Sequence, residues 1–377
     1  MTVPSPASDP FAVPPVTPPP LASAPVVPYT GESPGAPVVD GTRAPAVVQW
    51  APPTSTARWG TPVYLEPQPY NRILRTSSYG WWRPMLGLPL VFGLWIVASV
   101  VGAVVVLLPD IIDGSFVEAT PEDLTTSLVG EPLGLLATNL SLAALIPLSG
   151  LAMVVAHQLR PTWLHSVLGR MRWGFMARCI GVATALFVVY FVAAAVIAAA
   201  TGEIADTTPA GDPQLLLALV VLLTTPLQAA GEEYAFRGYL LQAFGSWVRG
   251  PVIPVLATSL LFSAIHLGDL PSSVFFFTFG AVAAYLTVKT GGLEAAIGLH
   301  VVVNTSQLLL LALSGNQVSS ALERSETSWA LPVVFGAIMV VYAAIVLRLA
   351  RRSGLATRTA AVSAPVSTGL VESHQPG

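Results

Sequence analysis

A succession of long apolar runs, from about Met85 almost to residue 350, limits most what this chain can form. Only 10% of the 377 residues are charged, whereas soluble domains carry roughly 25%. A helix needs about 20 apolar residues to cross a bilayer, and most of the runs reach that length. The sequence therefore predicts an all-α fold, a polytopic membrane helical bundle.

The number of crossings follows from the runs and from the charges between them. Eight spans are predicted, of which the fifth is shorter than the ~20 residues of a full crossing. The loops rich in arginine alternate with acidic loops along the chain, and basic loops stay in the cytoplasm. Eight spans with both termini cytoplasmic satisfy this rule, whereas seven would put one arginine group outside. The spans lie near 85–108, 132–157, 179–200, 214–241, 254–268, 272–289, 293–313 and 330–348.

Composition also divides the chain into a membrane domain and two tails. Residues 1–79 are rich in proline and alanine, which predicts a disordered cytoplasmic tail. Residues 80–352 form the predicted membrane domain, and 353–377 form a second disordered tail. The net charge of −3 gives no reason to expect a nucleic-acid partner. We expect an integral, multi-pass protein of a bacterial plasma membrane.

Three charged residues interrupt the fourth apolar run. Glu233 and Arg237 are four residues apart, so on a helix they share a face and can form an ion pair. Glu232 points about 100° away and lacks that cation, which suits it to act as a general base. Charges at bilayer depth usually face a protein interior or a water cavity and carry function. The alternative is an ion pair that only locks helix packing.

Two histidines lie in later apolar runs. His266 is near the end of the fifth run, and His300 precedes Asn304 by one helical turn in the seventh. A single histidine in such a run is more often a core residue than a ligand. Two histidines with an asparagine and a glutamate pair instead predict a polar cavity inside the membrane.

This set of side chains has the chemistry needed for hydrolysis. A glutamate can take a proton from water, and an asparagine amide can donate to the oxyanion of a tetrahedral intermediate. Either a neutral histidine or a divalent metal would position the water. Zinc, which often binds two histidines and a carboxylate, would use Glu232, His266 and His300. A glutamate mechanism without metal is the other possibility. The candidate catalytic residues are Glu232, Glu233, Arg237, His266, His300 and Asn304.

Other functions use similar residues. A proton- or ion-coupled transporter also buries Glu, Arg and His, and a non-catalytic membrane scaffold could retain them. Asn304 favours hydrolysis, because an oxyanion needs a hydrogen-bond donor whereas a proton relay needs a group that titrates. The sequence thus favours an intramembrane peptidase, with a membrane-associated or lipidated peptide as its substrate.

Three motifs resemble those of one protease family. Glu-Glu-x-x-x-Arg occurs at 232–237, Phe-x-x-x-His at 262–266 and His-x-x-x-Asn at 300–304, in that order. The segment 214–313 is similar to the CPBP intramembrane proteases, the CAAX prenyl protease and bacteriocin-processing (Abi) family. The resemblance implies a helical membrane fold with a water-filled cavity, and Glu232 as the base that activates water. It implies that His266, His300 and Asn304 are its partners, and that Glu233 and Arg237 support them.

Overall fold

The computed structural model describes residues 59–201, 211–266, 268–313 and 329–361, and the regular secondary structure in these ranges is helical. Eight apolar helices make up the bundle, as the sequence predicted. Their bounds are α1, Arg83–Asp113; α2, Pro132–His157; α3, Trp173–Thr201; α4, Asp212–Trp247; α5, Val252–Ile265; α6, Leu270–Thr290; α7, Glu294–Leu313; and α8, Ala330–Arg352.

Seven of these helices are long and apolar enough to cross a membrane, and α5, with 14 residues, is not. The predicted polytopic helical bundle, with its short fifth span, is confirmed. Two of the long helices contain π-helical turns, Pro89–Gly93 in α1 and Tyr234–Leu240 in α4. Short one-turn helices lie outside the eight, at Tyr70–Arg72, Ser115–Val117, Pro121–Thr125, Thr126–Gly130 and Pro161–Leu164.

The arginine-rich segments meet at one end of the bundle. The residues before α1 contact the α2–α3 loop, the α4–α5 loop and the residues after α8, and the α2–α3 loop also contacts the α6–α7 loop. The chain therefore returns to this end after every second helix, which is the arrangement of eight crossings. The joining hydrogen bonds run from Arg160 N to Gly60 O (3.0 Å), Asn71 Nδ2 to Gly250 O (3.5 Å), Thr359 N to Gln68 O (2.9 Å) and Val167 N to Gly291 O (2.9 Å).

Residues 59–79 and 353–361, which composition assigns to the two tails, lie within the described part of the chain. Residues 59–79 pack on the bundle, with Tyr70 and Ile73 fully buried in its core. Residues 353–361 lie against them, since Gln68 N donates to Thr359 Oγ1 at 2.9 Å. Aromatic and branched side chains between the prolines supply the apolar surface for this packing. The rest of the predicted tails, 1–58 and 362–377, lies outside the described residues.

A buried ion pair fixes the arginine-rich end. Glu294, the first residue of α7, binds Arg172 through both carboxylate oxygens, at 2.7 and 2.6 Å. Arg172 also donates to the carbonyl of Thr290 at 2.9 Å and to that of Ala356 at 3.1 Å. Glu294 is completely buried. This bidentate pair ties the start of α3 to the α6–α7 loop and to the residues after α8.

Helix α4 lies at the centre of the motif-bearing part of the bundle and packs on both α2 and α7. Gly231 permits the close approach to α2, because a Cβ atom there would lie 2.2 Å from the carbonyl oxygen of Leu142. Pro226, which lacks a backbone N–H, interrupts the hydrogen-bond ladder of α4 before the two glutamates. Glu232 and Glu233 are the last residues before the π-helical turn, a feature often found at functional sites.

Accessibility from each side of the membrane tests the arrangement of the helices. In a Cys179→Ala background, Ser78→Cys and Ser353→Cys are expected to react with a membrane-impermeant maleimide from the cytoplasmic side. Both positions are at the arginine-rich end, which the positive-inside rule assigns to the cytoplasm. Ser115→Cys, in the exposed α1–α2 connection, is expected to react from the opposite side. Labelling of Ser78→Cys and Ser353→Cys from different sides would contradict eight crossings.

Candidate functional site

The two glutamates of α4 face different partners. Glu233 is fully buried and accepts a hydrogen bond from Arg237 Nη1 at 2.8 Å, the predicted ion pair. The same oxygen, Oε1, lies 2.6 Å from His300 Nδ1 on α7. Because a carboxylate oxygen can only accept, His300 must carry its proton on Nδ1. Glu233 therefore joins a cation on its own helix to an imidazole on another and fixes the orientation of that ring.

Arg237 is enclosed by aromatic rings and is completely inaccessible to solvent. Its guanidinium carbon lies 4.1 Å from the ring centre of Phe262 and 5.6 Å from that of Phe279. Guanidinium groups over aromatic faces gain cation–π stabilisation, and the gain is larger where water is excluded. Phe262, the first residue of the second motif, thus helps to hold the cation of the first motif.

Glu232 is bound by an uncharged partner. Gln228, one helical turn earlier, donates from Nε2 to Glu232 Oε1, and Asn304 Nδ2 on α7 donates to Gln228 Oε1 at 3.2 Å. The second carboxylate oxygen, Oε2, is buried and has no hydrogen-bond partner among the described residues. It lies 3.9 Å from His300 Nε2. One oxygen of Glu232 is therefore held and the other is free to react.

His266 follows the last turn of α5, and its ring is sandwiched by aromatic residues. Its Nδ1 lies 2.7 Å from the carbonyl oxygen of Phe262, which can only accept, so Nδ1 carries the proton here too. The ring stacks on Phe276 with centroids 4.1 Å apart, and it contacts Phe262 at 4.4 Å. In the neutral form of each histidine, Nε2 therefore has a lone pair available.

These side chains line a cavity of about 240 Å³ between α4, α5, α6 and α7. Four of the six candidate residues line it, whereas Glu233 and Arg237 lie behind its wall. Half of the lining residues are polar, and the other half are apolar and mostly aromatic. The polar lining consists of Gln228, Glu232, His266, His300, Asn304 and Gln307, and the apolar lining of Phe262, Phe275, Phe276, Phe279, Val303 and Leu308.

The structure adds residues that the sequence reasoning missed. Gln228 could have been found, because it precedes Glu232 by four residues and so shares its helix face. Phe275 and Phe276 also line the cavity. Their sequence, three consecutive phenylalanines, gives no periodicity that would distinguish a cavity wall from a lipid-facing surface.

The donor atoms are of types that bind zinc, but they do not form a metal site in this arrangement. Within the part of the chain that the structure describes, no three His, Cys, Asp or Glu side chains are placed to hold a metal ion. Glu232, His266 and His300, the predicted ligands, therefore do not fit a metal as they stand.

The fold and the site together define an integral membrane helical bundle with acid–base residues around a buried cavity. Comparison with known proteins agrees with the resemblance given by the motifs. Residues 213–306, which contain all six candidates, match the family described as type II CAAX prenyl endopeptidase Rce1-like. The segment's similarity to CAAX prenyl proteases is thereby confirmed. The match does not extend to α1, α2 and α3 or to α8.

A bacterial protein is also similar to part of the chain. The uncharacterized protein YyaK of Bacillus subtilis (strain 168) is 36% identical over 95 residues, or 23% of this chain. The match spans about a third, 32%, of the Bacillus protein. No solved structure matches the chain.

Proposed function

We propose that this chain is an intramembrane endopeptidase that hydrolyses a peptide bond at or within the bilayer. The observation that carries the proposal is the free, buried Oε2 of Glu232, which lies 3.9 Å from the Nε2 atom of His300 where both residues line the cavity. A water molecule between these atoms can donate one hydrogen to each of them. The similarity of residues 213–306 to CAAX prenyl endopeptidases supports the same reaction class.

Glu232 is the proposed general base. As the water oxygen attacks the peptide carbonyl carbon, its proton passes to Oε2 of Glu232 and a C–O bond forms. The tetrahedral intermediate collapses when Glu232 returns this proton to the leaving nitrogen and the C–N bond breaks. His300 holds the water through Nε2, and Glu233 and Arg237 hold His300 in the required orientation.

Asn304 is the proposed donor to the oxyanion. Its Nδ2 atom gives one hydrogen to Gln228 Oε1 and has a second hydrogen available to the cavity. A donor fixed in this way by Gln228 needs little reorganisation when negative charge develops on the carbonyl oxygen. The aromatic side chains that line the cavity give an apolar side chain of the substrate a surface on which to pack.

The proposed substrate is a membrane-associated or lipidated peptide. A prenylated peptide is one member of this class. The cavity lies within the apolar helices, so a bilayer-anchored segment can reach it without leaving the membrane. The proposed location is a bacterial plasma membrane, with both termini in the cytoplasm. This orientation is supported by the arginine-rich segments that meet at one end of the bundle.

The variant Asn304→Ala tests this function. Turnover of a membrane-anchored peptide is expected to fall about 10²–10³-fold with little change in KM, because the oxyanion exists only in the transition state. Ser306→Ala is the matched control, since Ser306 lies on the same helix and, among the described residues, its hydroxyl bonds to the carbonyl of Val303. A rise in KM at constant kcat would contradict the proposed role, because it would show loss of ground-state binding.

The same cleavage assay is repeated after the protein is treated with a metal chelator, and the metal content of the protein is measured in parallel. Because the described donors form no three-ligand group, cleavage is expected to persist after the metal content falls far below one ion per chain. Activity lost on chelation and restored by a single divalent metal would replace the side-chain mechanism with the metal-dependent one.

A further inference from the structure

A second groove, separate from the catalytic cavity, lies between α6 and α8 at the arginine-rich end of the bundle. It has a volume of about 210 Å³ and carries two cations, Lys289 and Arg351. Lys289 is the only lysine in the chain. Neither residue lines the catalytic cavity, so no role in the proposed hydrolysis falls to them.

The lining of this groove is layered along the helix axes. Lys289 is one helical turn beyond Tyr285 on α6, and Arg351 is one turn beyond Leu347 on α8. Both helices end at the arginine-rich end, so the two cations form an outer layer and the tyrosine and leucine an inner one. A charged layer above an apolar layer matches the order of a phospholipid, headgroup above acyl chain.

The chain after α8 closes the outer side of the groove. It turns at Gly354, whose φ of 57° lies in the left-handed region, and Leu355 N then donates to the carbonyl of Ala350 at 3.1 Å. Thr357 packs against Gly291, where a Cβ atom would lie 2.8 Å from the Thr357 Cα. These contacts fix the residues after α8 in place as the outer wall of the groove.

The charges in the groove have no counter-ion in the described part of the chain. The ion pairs found there involve Arg172, Arg237 and His300, and none includes Lys289 or Arg351. An adjoining polar cavity of about 520 Å³ shares Lys289 and adds two more arginines, with Glu66 as its only lining carboxylate. Those two arginines are Arg72 and Arg358.

Basic residues at helix ends are common at the cytoplasmic side of membrane proteins, and they also favour the helix dipole. That explanation applies equally to Arg348 and Arg352, which flank Arg351 on α8 but do not line the groove. What distinguishes Lys289 and Arg351 is that two helices direct them into one walled groove with apolar side chains beneath.

We propose that this groove binds an anionic phospholipid. Its phosphate lies between Lys289 and Arg351, and an acyl chain follows Tyr285 and Leu347 toward the bilayer centre. Basic pockets between transmembrane helices on the cytoplasmic side are known to suit anionic headgroups. The adjoining polar cavity gives the rest of the headgroup a place beside Arg72 and Arg358.

Native mass spectrometry of the full-length protein tests the proposal. Phosphatidylglycerol and phosphatidylcholine with identical acyl chains are added to the detergent-purified protein, and the lipid-bound fraction is titrated. Phosphatidylglycerol is expected to bind more tightly. The double variant Lys289→Gln/Arg351→Gln is expected to lose about tenfold or more of that affinity, because each basic group near an anionic headgroup contributes severalfold.

The matched control is Arg348→Gln/Arg352→Gln, which makes the same change in net charge outside the groove and is expected to retain wild-type binding. Equal losses in the two double variants would overturn the proposal in favour of general surface charge. Equal affinity for phosphatidylglycerol and phosphatidylcholine would also overturn the proposal, because it would show that the groove binds only the acyl chains.

Two further arms complete the test. Inorganic phosphate is expected not to displace phosphatidylglycerol, and displacement at low concentration would identify a free phosphate as the ligand instead. Lys289→Arg retains the charge and is expected to retain binding, so it separates loss of the site from loss of fold. Binding lost in Lys289→Arg, with an unchanged unfolding midpoint, would overturn the role of charge.

Discussion

Replacing Glu232 by glutamine is expected to lower the rate of peptide cleavage about 10²–10⁴-fold, the contribution typical of a positioned general base. The amide has nearly the shape of the carboxylate and can still bond to Gln228, but it cannot take a proton from water. The rate is measured as a time course of cleavage with detergent-purified protein and a membrane-anchored peptide.

The control for this variant is Glu131→Gln, which removes a carboxylate from an exposed position before α2 and is expected to leave the rate unchanged. The thermal unfolding midpoint of Glu232→Gln should stay near that of the wild type. A variant that is folded and still cleaves at more than about a tenth of the wild-type rate would rule out Glu232 as the base, given the usual size of such effects.

Replacing Arg237 by methionine is expected to destabilise the protein by about 3–5 kcal/mol, because it leaves the carboxylate of Glu233 buried without its cation. Arg237 is the largest fully buried side chain in the described residues, and neither it nor Glu233 is accessible to solvent. The free energy of unfolding can be measured by denaturant titration in detergent.

The double variant Glu233→Gln/Arg237→Met separates the structural role of this pair from its catalytic one. Replacing both members of a buried ion pair by uncharged groups is often neutral, so stability is expected to recover. Turnover is not expected to recover, because His300 loses the carboxylate that holds its Nδ1 proton. An Arg237→Met protein as stable as the wild type would show that the pair does not hold the bundle together.

The sequence predicted much of the fold because the bilayer imposes simple rules. Helix length and loop charge alone gave eight helices and the meeting of the arginine-rich segments at one end. The same rules do not apply to residues 59–79. These residues are rich in proline and do not cross the membrane, yet Tyr70 and Ile73 insert into the core. Such packing depends on contacts with distant parts of the chain, which composition does not encode.

The candidate site was likewise predicted only in part from the sequence. Spacing along one helix predicted the Glu233–Arg237 pair, and the shared motifs led to the set of residues that the structure gathers around one cavity. Spacing could not predict that His300 would bond to Glu233 and leave its Nε2 toward Glu232, because this depends on how α7 packs on α4. For the same reason, spacing could not predict that Phe276 would line the cavity.

The most direct test of the central claim is hydrolysis in proteoliposomes made with ¹⁸O-labelled water, with ion and proton flux recorded from the same vesicles. Wild-type protein is expected to release a peptide whose new carboxyl terminus carries one ¹⁸O atom, and Glu232→Gln is expected to release it about 10²–10⁴-fold more slowly. Flux that depends on Glu232, with no labelled peptide formed from any anchored substrate, would contradict the peptidase and identify a transporter.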